Sequence, residues 1–156
     1  KWEESADRFQ ILNLKVCKIR TGLVLSEKGG ALPEMAKPIK MGFGSVMGKG
    51  RQIQSWIHLD DLVSLYSFAI EKQLEGIYNA VSPNPVSNKE LTKAIAAILR
   101  KPLWLPDMPE FIMKLILGEM SYLLFSSKKL SSEKIQNLGF KFEFPKIDLA
   151  LKEVYK

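Results

Sequence analysis

Strands and helices alternate along this chain, and that rhythm predicts an α/β domain with parallel strands. Three observations carry the expectation. KVCKIRTGLVL is apolar and β-branched, the pattern of a buried strand, expected from about Val16 to Arg20. Ile53 to Ile57 reads as a short strand that runs into a helix whose apolar positions are Leu62, Leu65, Tyr66, Ala69 and Ile70. Ile77 to Val81 is a further strand, followed after SPNPVSN by a helix. Ser87 and Glu90 form a capping box for that helix, whose core face is Leu91, Ala94, Ile95, Ile98 and Leu99.

The remaining elements fall around these. Trp2, Ala6 and Phe9 stand at helical spacing, so an amphipathic helix is expected at the start. Lys28-Gly29-Gly30 marks a loop, and Ala31 to Ala36 suits one or two helical turns. Asp60 or Asp61 is placed to cap the helix after Ile57, and Gly76 to end the segment behind it. Pro102 stops the helix that Ser87 begins. From Leu103 the chain changes character, with the Pro-rich LWLPDMPEF and then a helix of roughly 14 residues by its apolar period. Ser131 or Ser132 is expected to cap a short helix ending at Gly139. Phe140, Phe142 and Phe144 alternate as a short strand, and Pro145 can open a terminal helix through Leu151. There is no internal repeat.

Composition narrows the function classes. The chain has 156 residues, 46% hydrophobic and 26% charged, enough to bury a real core and unlike a disordered tail. One Cys and one His argue against a disulfide framework and a Cys/His-rich metal site, and Cys17 reads as a small buried hydrophobe. Net charge is +6, from 23 basic and 17 acidic residues, but the lysines are scattered and read as solvated surface. No interleaving of aromatic and basic residues supports a nucleic-acid partner. Phe111 to Phe125 is the greasiest run, interrupted by Lys114 and Glu119 and shorter than the roughly 20 residues of a membrane span. The start, KWEESADR, has no apolar leader. A cytoplasmic protein without membrane contact is the expectation.

The polar residues concentrate in GFGSVMGKGRQIQSWIHLDDL, from Gly42 to Leu62, which holds four glycines, the only His and an Asp-Asp pair. A phosphate loop is excluded twice: Gly48-Lys49 is followed by Gly50 rather than Ser or Thr, and Phe43 stands where the first glycine belongs. A dinucleotide fingerprint is excluded as well, since Gly48 and Gly50 lack a third glycine and precede a strand. Ser55, His58 and Asp61 lack a nucleophile elbow. The Tyr-x-x-x-Lys pair is absent, because Tyr66, Tyr78 and Tyr122 are followed at that offset by Ile70, Ser82 and Ser126. No catalytic dyad and no metal-ligand set can be assembled. What remains is a cluster of candidates. Arg51 is a fork-shaped donor suited to phosphate or carboxylate, or else a solvated loop residue. Gln52 and Ser55 can donate to a ligand or satisfy loop carbonyls. His58 suits a structural hydrogen bond at a helix start. Asn79, in an otherwise apolar strand, is structural or faces a ligand. Trp56 and Trp104 read as core.

IRTGLVLSEKGGALPEM, GFGSVMGKGRQIQSWIHLDDLV and GIYNAVSPNPVSNKELTKAIAAILRKP, in that order, resemble the atypical extended short-chain dehydrogenase/reductases known as NAD-dependent epimerase-like, or nucleoside-diphosphate-sugar epimerase-like, proteins. LWLPDMPEF, GEMSYLLFSSKKL and GFKFEFP resemble that family's small C-terminal domain. The resemblance implies the C-terminal part of a Rossmann-like fold over residues 1–101 and a small, mostly helical closing domain over 102–156, without the N-terminal cofactor-binding half. It places Thr21, Gly22, Leu23 and Val24 near the nicotinamide of NAD or NADP in a complete protein, and no cofactor binding is expected of this chain alone. It implies a nucleotide-sugar-like substrate, with the Arg51-to-His58 stretch, which holds Gln52, Ser55 and His58, bringing Arg51 to the diphosphate; Asn79 is a further substrate-side candidate. A half-sheet has an open parallel edge and an uncovered face, so the chain is expected to expose an apolar patch or to pair with another copy through that edge.

Overall fold

The computed structural model describes residues 3, 5, 9, 14–46, 48–107 and 127–156. Its backbone is one extended run with short strands laid beside it. That run comprises β1 (Cys17–Thr21) and β2 (Leu23–Leu25), divided at Gly22. Helix α1 (Ala31–Lys40) follows, then β3 (Ile53–Gln54), β4 (Trp56–His58) and α2 (Leu59–Glu71). Next come β5 (Gly76–Ala80), β6 (Val86–Ser87), α3 (Asn88–Ile98), the single-turn α4 (Glu133–Gln136) and α5 (Ile147–Val154). β1 pairs in parallel with β5, β2 pairs in parallel with β4, and β3 pairs antiparallel with β6.

The run changes partner at Gly22. Its N–H donates to the Ala80 carbonyl at 3.1 Å, and the next amide, Leu23, donates to Ser55 at 2.8 Å. A Cβ at Gly22 would run into the Ser55 carbonyl and stand 2.7 Å from Val81 Cγ1, so the crossing requires glycine. Ser55 is the matching break on the other side. It divides the strand expected from Ile53 to Ile57 into β3, which faces β6, and β4, which faces β2.

Two clusters of apolar side chains hold these layers. Leu25 and Trp56 pack with Leu32 and Met35 of α1, Leu91 and Ile95 of α3, and Ala150 and Leu151 of α5. Ile57, Leu65, Tyr78 and Ala80 pack with Ile135 and Phe140. Segment 127–156 thus contributes to both clusters, and each fully buried Leu or Ile is worth about 2 kcal/mol of transfer free energy. Asp61 ties the segment down further. Its buried carboxylate accepts the Glu143 N–H at 2.8 Å and the Phe144 N–H at 3.1 Å.

Most sequence expectations appear as elements, with informative differences. Ser87 and Glu90 form the capping box, both arms present. The turns expected over Ala31 to Ala36 extend to Lys40, with Pro38 inside the helix. Tyr66 and Ile70, expected in the core, are 45% and 75% exposed, because α2 buries only the side carrying Leu65 and Ala69. Trp56 is fully buried, whereas Trp104 is exposed and donates its indole N–H to the Gly42 carbonyl at 3.0 Å. Phe140, Phe142 and Phe144 form no strand. Their rings are held by aromatic contacts instead: Phe140 lies edge-on to Phe68 and Phe142, and Phe144 packs on His58. The terminal helix starts at Ile147, two residues after Pro145. Trp2, Ala6 and the helix expected within 111–125 lie outside the described residues. Among the described residues, no helix is long and apolar enough to cross a membrane.

Candidate functional site

The partner change at Gly22 opens a cavity of about 470 Å³. Thr21, Gly22, Leu23 and Val24 form one wall, and Ile53, Gln54 and Ser55 form another. Gly30 and Ala31, where α1 begins, and Lys128 and Leu130 complete it. The four residues at which the nicotinamide was expected are therefore contiguous in one cavity wall.

The segment carrying Lys128 is clamped onto the β3–β4 junction. Ser55 Oγ donates to the Lys128 carbonyl at 2.7 Å and accepts the Leu130 N–H at 3.0 Å. Ile53 N–H donates to Ser127 Oγ at 2.9 Å. Ser55 is buried, so its hydroxyl is fully engaged in joining chain segments more than seventy residues apart.

The other expected ligand residues are distributed differently. His58 is 4% exposed and caps α2: its Nδ1 accepts the Asp60 N–H at 3.2 Å, and its ring centroid lies 4.2 Å from that of Phe144. An accepting Nδ1 leaves the ring proton on Nε2. His58 lines a separate, more open hollow of about 310 Å³ with Glu27, Asp60 and Glu153. The half-buried Asn79 donates its side-chain amide to the Ser131 carbonyl at 3.0 Å, tying β5 to the segment before α4. Arg51 is exposed and does not line the cavity. Its neighbours are pinned to the start of α3: Lys89 N–H donates to the Gly50 carbonyl at 3.0 Å and Asn88 N–H to the Gln52 carbonyl at 2.8 Å. Gly50, at φ +66°, is required there, since a Cβ would meet Val46 and Lys89 side chains. Among the described residues, the Gln52 amide oxygen is buried without a hydrogen-bond partner, a state that costs about 1–3 kcal/mol when nothing satisfies it.

Of the residues singled out from sequence, the fold gathers Thr21, Gly22, Leu23, Val24 and Ser55 at one cavity, and leaves Arg51, Gln52, His58 and Asn79 outside its lining. Gln54, Lys128 and Leu130 were not anticipated. The SSKKL run carried no local signal for Lys128 or Leu130, because Ser55 is what brings the segment to the cavity. Among the described residues, no group of three or more His, Cys, Asp or Glu side chains could hold a metal ion.

Residues 108–154 match the family model described as a domain of unknown function, DUF1731. Over 154 residues the chain is 36% identical to the epimerase family protein YfhF of Bacillus subtilis (strain 168), covering 98% of this chain and 50% of that protein. The chain is a relative of the epimerase family proteins. The mouse epimerase family protein SDR39U1 is 32% identical over 156 residues, 99% of this chain and 53% of that protein. The chain therefore spans about half the length of the epimerase family relatives it matches. Among solved structures, human epimerase family protein SDR39U1 (isoform 2) with NADPH superposes with a TM-score of 0.81 at 29% identity, covering 90% of this chain and 48% of that one. The nucleoside-diphosphate sugar epimerase from Corynebacterium glutamicum superposes with a TM-score of 0.77 at 30% identity, covering 98% of this chain and 29% of that one. The α/β fold of this epimerase-family relative is that of the NAD-dependent epimerase and short-chain dehydrogenase structures.

Proposed function

We propose that this chain is the substrate-side part of an NAD(P)-dependent epimerase or reductase acting on a nucleotide-sugar-like small molecule. Residues 1–101 form the end of the Rossmann-like domain and 102–156 its closing domain. The observation that carries the reading is the cavity where Thr21–Val24 meets the β3–β4 junction and the clamped segment 127–130. Its lining fits one end of a nicotinamide cofactor: main chain along Thr21–Val24, with Leu23, Ile53 and Leu130 as apolar surface for a flat ring. When bound, the cofactor supplies hydride transfer. This chain's residues hold the wall and close it through the Ser55 clamp, while Arg51 and Gln52 offer a donor and an unpartnered acceptor on the loop beside α3. Gly22 keeps the wall flush with Ser55, so the cavity depends on it. On this reading the cofactor pyrophosphate is held by an N-terminal half, and residues 1–156 by themselves are expected to be inactive.

NADPH fluorescence titration tests the reading. A longer polypeptide carrying both halves is expected to bind NADPH, and the 156-residue chain is expected to give no measurable change. Equal binding by both, or none by the longer form, contradicts it. A second reading, a non-catalytic module that dimerises or binds anions, is favoured by the exposed apolar side of α2. Sedimentation equilibrium separates them, since a concentration-dependent dimer of the longer form that does not bind NADPH favours the module.

A further inference from the structure

Met41, Phe43 and Trp104 are 65%, 56% and 65% exposed, and two distant loops bring them to one tip. Trp104 donates its indole N–H at 3.0 Å to the carbonyl of Gly42, the residue between Met41 and Phe43. The loops are joined at two further points. A Cβ at the buried Gly44 would stand 2.8 Å from the Leu103 side chain, and the Ser45 hydroxyl donates to the Pro106 carbonyl. The donors at the tip are satisfied from within. The Met41, Gly42 and Phe43 N–H groups donate to the Lys37, Ile39 and Pro38 carbonyls at 3.1, 3.0 and 2.9 Å, and the only polar atom of Trp104 is held by Gly42. Such a tip can enter an apolar medium without carrying in an unpaired N–H, which is the main penalty for moving backbone or indole out of water.

The charge around the tip has one sign. Residues 35–59 hold four Lys or Arg and no Asp or Glu, and residues 91–106 hold three and none. Lys37 lies one turn before Met41, and Arg100 and Lys101 follow α3 just before Leu103 and Trp104. These three are exposed and take part in no ion pair among the described residues, whereas Lys40 is turned to Glu27 and the Tyr155 ring. Asp107 is the nearest carboxylate to Trp104 in the sequence. A basic flank repels a second copy of itself. The apolar side chains also project, whereas a protein partner's anchors need pockets to fill. A bilayer with anionic headgroups needs no pocket and complements the charge.

We infer that this tip is a peripheral docking surface for an anionic lipid bilayer. Met41, Phe43 and Trp104 enter the interface, and Lys37, Arg100 and Lys101 meet the headgroups. The inference departs from the sequence expectation of no membrane contact and requires no spanning helix.

Co-sedimentation of the 156-residue chain with vesicles tests it, comparing phosphatidylcholine alone with a mixture of about one third phosphatidylserine. Saturable binding to the mixed vesicles alone is expected, weakened by salt, with brominated acyl chains quenching Trp fluorescence. Phe43→Ser is expected to weaken binding about tenfold, and Arg100→Gln with Lys101→Gln about twentyfold. Trp104→Phe should remove the quenching while changing affinity less than about threefold. Ile70→Ser, at an exposed apolar position on α2, is the control and should change affinity less than about twofold. Equal binding to both vesicles, binding to neither, or unchanged affinity in Phe43→Ser overturns the inference. Quenching that survives Trp104→Phe, or an equal loss in Ile70→Ser, does so as well. Binding to duplex DNA or polyglutamate with none to vesicles assigns the basic flank to another partner and overturns it. Vesicle binding by the chain but not by a longer polypeptide carrying both halves also overturns it, because the rest of that polypeptide then covers the tip.

Discussion

The extended run from Cys17 to Leu25 ends in two different surroundings. At its downstream end, Thr21–Val24 enter a cavity whose walls come from β3, the start of α1 and segment 127–130, bound together by the Ser55 hydroxyl. At its upstream end, Cys17 and Ile19 line an open apolar groove of about 570 Å³ with Leu14, Tyr66, Ile70 and Leu74. Burial there pushes the Cys17 thiol up from its ordinary value. The first region joins distant segments through satisfied polar groups. The second has residues of core type and nothing over them among the described residues. Among the described residues, one strand thus serves a clamped surface at one end and an open one at the other.

The contrast can be broken at its pivot. Gly22→Ala drives a methyl group into the Ser55 carbonyl and is expected to cost about 3 kcal/mol. Gly29→Ala, with open space around its added Cβ, should change stability by less than about 0.5 kcal/mol. Urea midpoints compare the two, and equal effects would mean that the crossing at Gly22 is not tight. Along α2 the same comparison runs around one helix. Leu65→Ala, at a fully buried position, should cost about 3 kcal/mol, whereas Ile70→Ala, 75% exposed, should cost less than about 0.5. A large loss at Ile70 would show that the groove is covered in solution.

These positions also show what the sequence disclosed. Local chemistry was legible in part: Ser87 and Glu90 announce a capping box because its geometry spans only four residues, whereas the cap expected at Asp60 or Asp61 is made by His58, and both aspartates fall in the helix's first turn. Periodicity marked Leu65 and Ile70 alike as apolar, but the pattern records what a face is built to meet, and only Leu65 meets it within the described residues. The phenylalanines at 140, 142 and 144 imitate strand alternation while answering to separate aromatic partners. At the site, Thr21–Val24 emerged from the family resemblance. Lys128 was invisible because its place depends on a hydrogen bond to a serine more than seventy residues away.

Two smaller effects sharpen the comparison. Ser55→Ala should cost about 1–2 kcal/mol and speed amide exchange at Leu130, while leaving exchange in α2 unchanged. Uniform acceleration would mean that the clamp is not local. The capping box supplies a pH signature outside both regions. Hydrogen bonds from the Ser87 N–H and hydroxyl hold the Glu90 carboxyl below its ordinary 4.5. Its stabilisation is therefore fully present above that value and is lost as pH falls through the lower folded one. Ser87→Ala should cost about 1 kcal/mol at neutral pH and flatten that acid limb, as followed by urea unfolding at several pH values.

Residue-resolved hydrogen exchange on the monomeric chain tests the two-ended strand most directly. Gly22 donates to Ala80 and Leu23 to Ser55, while alternation along β1 turns the Cys17 and Ile19 amides away from β5, its partner strand among the described residues. The prediction is slow exchange at Gly22 and Leu23 and fast exchange at Cys17 and Ile19. Equal protection of all four in a monomer would contradict the account, because the sheet would then be closed at the edge held here to be open.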